Sequence, residues 1–253
     1  MFRFARIQVQ WIKNSFTSWF VSKYNVNLNE AVFEDIKEYK HFNDFFTRAL
    51  KAGSRPLSDS KLVSPVDGVV SQCGNIEESM IVQAKGKRFS VEALLAHSPK
   101  DDLYSSFAII YLSPKDYHRI HMPFDGRLKS MKYIPGSLFS VNQRTVKDID
   151  QVFARNERLI CNFNTEYGEI ALVMVGAIFV GSMETSWEGQ VTPPYTKSVK
   201  TYDYGSRQID LFKGEELGRF NMGSTVILFM PKGLPDPNLE TGQVLKMGQA
   251  ISN

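Results

Sequence analysis

The sequence predicts an α+β protein: helices gathered at the N-terminus, followed by a β-rich body with barrel-sandwich-like hairpins. Three observations carry that expectation. No Gly or Pro occurs before Gly53, which suits helix. From Ser64 onward, short apolar or β-branched runs alternate with Gly, Pro and Asp, which suits many short strands. The 253 residues, 43% of them hydrophobic, suffice for one large domain with an appendage. The expected division is a helical region over 1–55 and a β-rich domain over 56–253.

The first segment, MFRFARIQVQWIKNSFTSWFVSKYNVNLN, carries Arg3, Arg6, Lys13 and Lys23 and no acid before Glu30. On a helix, Val9, Ile12, Phe16, Trp19 and Phe20 share a face, with Trp11 on the far side. Trp and Phe with Lys and Arg form the mixture expected of a helix lying in a membrane interface. There is no long apolar core followed by a small-residue cleavage site, so the segment does not read as a secretory signal. The stretch AVFEDIKEYKHFNDFFTRALK extends the helical expectation to about residue 50, and AGSRPLSDS reads as a loop.

In the body, GVVSQCG, SMIVQAKG, FAIIYL, GRLKSMKYI, RLICNFNT, GEIALVMV, AIFVGSME and STVILFM read as strands, and SVEALLA as one helix among them. The longest apolar run, ALVMVGAIFV, is too short to span a bilayer and reads as a buried strand that bends or pairs. A charged fraction of 23% and a net charge of +3 are too balanced for a nucleic-acid binder. Cys73 and Cys161 stand in no metal-ligand spacing and read as reduced thiols.

Three stretches carry candidate chemistry. SPVDGVVS offers Asp67 before Gly68, which alone would be an ordinary turn. YLSPKDYHRIHMPFDG places His118 and His121 three residues apart, bracketed by prolines. Zinc would want further ligands, and the other histidines, His41 and His97, lie in unremarkable helical contexts, so no metal is expected. The pair reads instead as acid–base chemistry near neutral pH. KGEELGRFNMGSTVILF sets Ser224 after Gly223, where a tight turn meets a strand. Together they supply an acid, an imidazole and a hydroxyl, the set that activates a serine. The residues alone permit a serine hydrolase equally well, although no Gly-x-Ser-x-Gly elbow is present. SPVDGVV and KGEELGRFNMGSTVIL also resemble the hairpins of carrier domains, so a phosphocarrier-like binding module is the other alternative; a biotinyl or lipoyl carrier would need a modifiable Lys at a hairpin tip.

Six stretches, in order, resemble the phosphatidylserine decarboxylase family of the bacterial type. They are FNDFFTRALKAGSRPL, SPVDG, QAKGKRFSVEALL, DYHRIHMPFDG, MVGAIFVGSMET and KGEELGRFNMGSTVILF. Met222, where many relatives carry Leu, is a mild departure. The resemblance implies that the Gly223–Ser224 bond cleaves itself into a 1–223 β chain and a 224–253 α chain, and that Ser224 becomes a pyruvoyl group. It implies His121 as base, Asp67 as its orienting partner, and His118 as a proton donor or carboxylate contact during decarboxylation. The implied partners are phosphatidylserine, an anionic membrane surface, the protein's own two chains and a second processed copy. The implied location is peripheral, on the cytoplasmic face of the cell membrane.

Overall fold

The computed structural model describes residues 4–84, 86–100, 103–177, 182–204, 207–221, 224–234 and 237–252. It is α+β, with few helices and a large antiparallel body. Helix α1 (Gln10–Tyr24) stops where Asn25 adopts a left-handed conformation, φ 53°, with its N–H on the Val21 carbonyl. Helix over the whole of 1–50 is therefore too generous. The Asn-rich stretch after α1 turns instead, with Asn29 N–H on Asn27 Oδ1 at 3.1 Å. A 3-10 turn capped by Asp35 spans Ile36–Glu38, and α2 covers only Phe42–Phe46.

The buried stripe of α1 is Lys13, Thr17 and Phe20, rotated from the expected apolar face. Thr17 can be buried because its hydroxyl donates to the Lys13 carbonyl at 2.7 Å. Lys13 is buried with Nζ on the Ile36 carbonyl at 2.8 Å, and burial lowers its pKa. Phe20 meets Phe42 at 4.9 Å between ring centroids, inside a cluster with Tyr39, Phe45 and Phe46. Trp19 and Val9 are about half exposed and Trp11 more so, at 72%. Among the described residues, no helix is long and apolar enough to cross a membrane.

The body runs in chain order through β1 (Gly68–Asn75), β2 (Met80–Ala84), β3 (Lys87–Ser90), α3 (Val91–Leu95), β4 (Ser106–Leu112), β5 (Arg119–His121) and β6 (Gly126–Ile134). Next come α4 (Gln143–Asp148), α5 (Val152–Arg155), β7 (Arg158–Thr165), β8 (Gly168–Gly176), β9 (Met183–Thr185) and β10 (Gly189–Thr192). Last are β11 (Lys200–Tyr202), β12 (Asp210–Leu211), β13 (Glu216–Phe220), β14 (Ser224–Met230) and β15 (Val244–Leu245). Helix α3 begins as the sequence suggests, with the Ser90 hydroxyl accepting from Ala93 N–H.

Among the described residues, nine strands form one sheet in the order β11–β6–β7–β8–β14–β4–β1–β15, with β12 also on β6. A four-stranded sheet runs β10–β9–β13–β5, and β2 pairs with β3. The path of the large sheet is open, so no closed barrel forms among these residues. Its central strands are Val-, Ile- and Leu-rich because both faces are buried. Strand β14 lies between β8 and β4, and β15 pairs with β1. The segment after residue 223 is thus woven into the sheet on both sides.

Register brings the motifs to one end of this sheet. Ser224 pairs with Leu112 on one side and Gly176 on the other. One step beyond the Val69–Tyr111 pair, Gly68 continues the rung to Leu245. Gly68 is required by close approach: a Cβ there would lie 2.6 Å from the Tyr111 carbonyl oxygen.

Candidate active site

Asp67 stands immediately before β1 and is buried. Its Oδ1 accepts from Arg55 Nε at 2.8 Å and Met247 N–H at 2.9 Å; Oδ2 accepts from Arg55 Nη2 at 2.5 Å and Lys246 Nζ at 3.0 Å. Burial alone would raise its pKa, but the Arg55 fork, the Met247 amide and the two positive charges outweigh that and hold the carboxyl below its usual value. The carboxylate is ionised and belongs jointly to two distant segments, because Lys246 and Met247 follow β14.

His121 ends β5, whose pairing with β13 sets it opposite Glu216. Its N–H donates to the Pro65 carbonyl at 2.8 Å, which fixes β5 beside the segment leading into Asp67. Nδ1 lies 2.8 Å from the Gly214 carbonyl, which can only accept, so the network assigns the proton to Nδ1. Nε2 then accepts from the Tyr117 hydroxyl at 3.1 Å. Burial lowers the pKa, against the Gly214 bond and the charges of Glu216 and Asp67. The His121 imidazole is therefore neutral at physiological pH. The Gly214 carbonyl and Tyr117 orient the ring; the carboxylate of Asp67 bears on it through its charge.

His118 is fully buried, with its ring centroid 4.1 Å from that of Phe46. Nδ1 donates to the Asp116 carbonyl at 2.8 Å, while Nε2 has no partner among the described atoms. Burial, helped by the Arg48 charge, lowers its pKa to about 3.

Ser224 opens β14, and its backbone register is fixed; its side chain, together with Met222 and Gly223, lies outside the described residues. The chain approaches from β13, so the link crosses from the small sheet to the large one. Asn221, the last described residue before the link, is held on all sides. Its N–H donates to the Ser182 carbonyl at 3.0 Å, and its Nδ2 donates to Ser182 Oγ and to Glu184 Oε1 at 2.9 Å. Asn43 Nδ2 donates to its carbonyl at 2.8 Å. A cavity of about 160 Å3 opens beside Asp67, lined by Arg48, Arg55, Lys115, Tyr117 and Lys246 among others.

Asp67, both histidines and the start of β14 thus converge on one end of the large sheet. Residue typing alone missed Arg55, Tyr117, Asn43 and Asn221, although all four lie inside the stretches that carry the family resemblance. Their roles depend on partners 4 to 178 positions away.

A family model described as phosphatidylserine decarboxylase matches residues 42–253. The chain is 50% identical to a phosphatidylserine decarboxylase proenzyme of Pseudomonas putida, over 98% of this chain and 90% of the relative. It is 51% identical to the proenzyme so named in Acidovorax ebreus, over 92% of this chain and 84% of that one. The corresponding Ectopseudomonas mendocina proenzyme is 48% identical over 98% and 90%.

Proposed function

The chain belongs to the phosphatidylserine decarboxylase family, and from that premise we propose that it converts phosphatidylserine to phosphatidylethanolamine and carbon dioxide through a pyruvoyl group made from Ser224. The observation that supports this reading is a set of backbone contacts: His121 N–H bonds the Pro65 carbonyl just before Asp67, the His118 carbonyl accepts the Phe220 N–H just before the link to residue 224, and Gly68 extends the rung on which residue 224 lies.

In the maturation step, the Tyr117 hydroxyl releases His121 Nε2, which then takes the Ser224 hydroxyl proton; the neutral, Nδ1-protonated ring is suited to this. The oxygen attacks the Gly223 carbonyl, the C–O bond forms and the C–N bond breaks. β-Elimination then frees residues 1–223 with a C-terminal carboxylate, and water replaces the nitrogen at residue 224 with loss of ammonia. Asp67, ionised and held by Arg55, supports positive charge developing on the imidazole. On the β8 side the register partner of residue 224 is Gly176, whose missing side chain leaves room for a small ketone, and on the β4 side it is Leu112.

Once formed, that group supplies an electron sink that captures the lipid amine and accepts the electron pair left by departing carbon dioxide. The protein must hold the headgroup against it. The cavity beside Asp67 suits a charged headgroup, and His118 Nε2 can take up a proton when a substrate carboxylate enters and raises its pKa. The exposed Trp11 and Trp19, with Lys23, support peripheral attachment to the cytoplasmic face of the cell membrane. The test is release of labelled carbon dioxide from carboxyl-labelled phosphatidylserine, abolished by a ketone-trapping hydrazine. Turnover that hydrazine leaves intact would contradict the pyruvoyl reading.

A further inference from the structure

Glu157 is a buried carboxyl that the steps above do not use. It stands one residue before β7, and its backbone carbonyl accepts the Gly176 N–H at 2.8 Å. Gly176 is also the register partner of Ser224, so positions 224, 176 and 157 occupy one rung. Residues on a rung share a face. Neighbouring strands lie about 4.8 Å apart, which sets the backbones of 224 and 157 about 10 Å from each other. Between them stands a residue with no side chain. A Cβ added at Gly176 would come 3.8 Å from Glu157 Cβ and 3.5 Å from Leu138 Cδ2, so larger groups there would fill the space.

The carboxyl itself accepts from the Thr192 hydroxyl. The Thr192 oxygen in turn accepts the Met183 N–H at 3.1 Å. Thr192 and Met183 belong to the small sheet that also carries His121. Glu157 therefore reaches from the rung of residue 224 toward the seam that the Asn221 link crosses.

Resting on the decarboxylase reading, we propose that Glu157 is a further catalytic residue, a carboxylic acid that protonates the α-carbon of the headgroup after carbon dioxide has left. The C–C bond to the substrate carboxylate breaks and its electron pair stays behind. The Glu157 O–H bond then breaks as the new C–H bond forms, and the carboxylate regains a proton from water before the next turnover. At rest His118 is neutral with its Nδ1 proton on the Asp116 carbonyl, so it donates only after a substrate carboxylate has charged it. Burial pushes the Glu157 carboxyl up to about 7, against the Thr192 hydrogen bond. Tyr133 and Tyr195 are the ionisable groups whose own titration feels its charge.

The experiment uses Glu157→Gln purified after maturation. The expected result is complete chain scission and normal capture of a hydroxylamine probe by the α chain on intact mass, with kcat lowered roughly 100-fold and KM little changed. The fall in wild-type rate as pH rises through about 7 should vanish in Glu157→Gln. Thr192→Val removes a bond that favours the ionised form, so it should move that alkaline limb to higher pH. Glu157→Asp should recover part of the rate. Wild-type turnover by Glu157→Gln with an unchanged alkaline limb would overturn the proposal. So would an uncleaved Glu157→Gln chain, because the carboxyl would then serve scission or the fold. Failure of the wild-type protein to capture the probe would instead overturn the decarboxylase reading beneath it.

Discussion

Asn43 holds the carbonyl of Asn221: Nδ2 lies 2.8 Å from that oxygen and 3.1 Å from the Asn221 side-chain oxygen. The contact joins α2 to the last described residue before the Gly223–Ser224 link. Losing it frees the approach to that link and leaves a buried carbonyl without its donor, a cost of about 1–3 kcal/mol. Asn43→Ala should slow self-cleavage by about tenfold or more, as expected when a reacting group is loosened. Pulse-labelled protein followed by denaturing electrophoresis measures it; scission at the wild-type rate would remove Asn43 from the maturation apparatus.

The Arg55–Asp67 pair makes an acid-sensitive contribution to stability. Asp67 has a folded pKa below its unfolded value of about 3.9, so its contribution is full above that value and is lost as pH falls through the folded pKa. Arg55→Ala leaves Lys246 and Met247 to hold a buried carboxylate, and should cost about 3–5 kcal/mol at pH 7. Denaturant midpoints compared at pH 7 and pH 3 should show the variant losing less on acidification than the parent. Equal losses would mean that the pair does not govern the acid response.

The two histidines should separate by reaction. His121→Ala should remain one uncleaved chain. His118→Ala should mature and then decarboxylate at least 100-fold more slowly. Because burial lowers the His121 pKa, scission in the parent should persist on acidification to below pH 6.5 before the ring protonates. Scission rates from pH 5 to 8 check the sign, and a fall beginning above 6.5 would contradict it.

Trp11 and Trp19 should anchor the protein without supporting its core. Removing residues 1–22 would also strip Phe16 and Phe20 from the aromatic cluster, so point changes are the cleaner test. Trp11→Ser with Trp19→Ser should lower affinity for phosphatidylglycerol vesicles by about tenfold or more while cleavage continues. Unchanged sedimentation with vesicles would place the membrane contact elsewhere.

Much of the body was legible in the sequence because its central strands are long and apolar. GRLKSMKYI and RLICNFNT coincide with β6 and β7, and STVILFM with β14. The short strands β5 and β13 were not, since three to five mixed residues become strand only by pairing with each other across almost a hundred positions. The buried face of α1 was also hidden: Lys13 and Thr17 read as polar, yet both satisfy their polar atoms on backbone carbonyls and pack inward. Candidate residue types Asp, His and Ser could be named from motifs. That the Gly214 carbonyl orients His121, while Arg55 and Lys246 hold Asp67, is tertiary information that no local spacing contains.

Intact mass of the purified protein, beside Ser224→Ala, puts the account to its hardest trial. The parent should resolve into chains of 223 and 30 residues, the smaller lighter than its translated mass by the exchange of an amino group for a ketone oxygen and the loss of serine's water, and Ser224→Ala should stay whole and inactive. A Ser224→Ala protein that divides and decarboxylates, or an active parent that never divides, would contradict it.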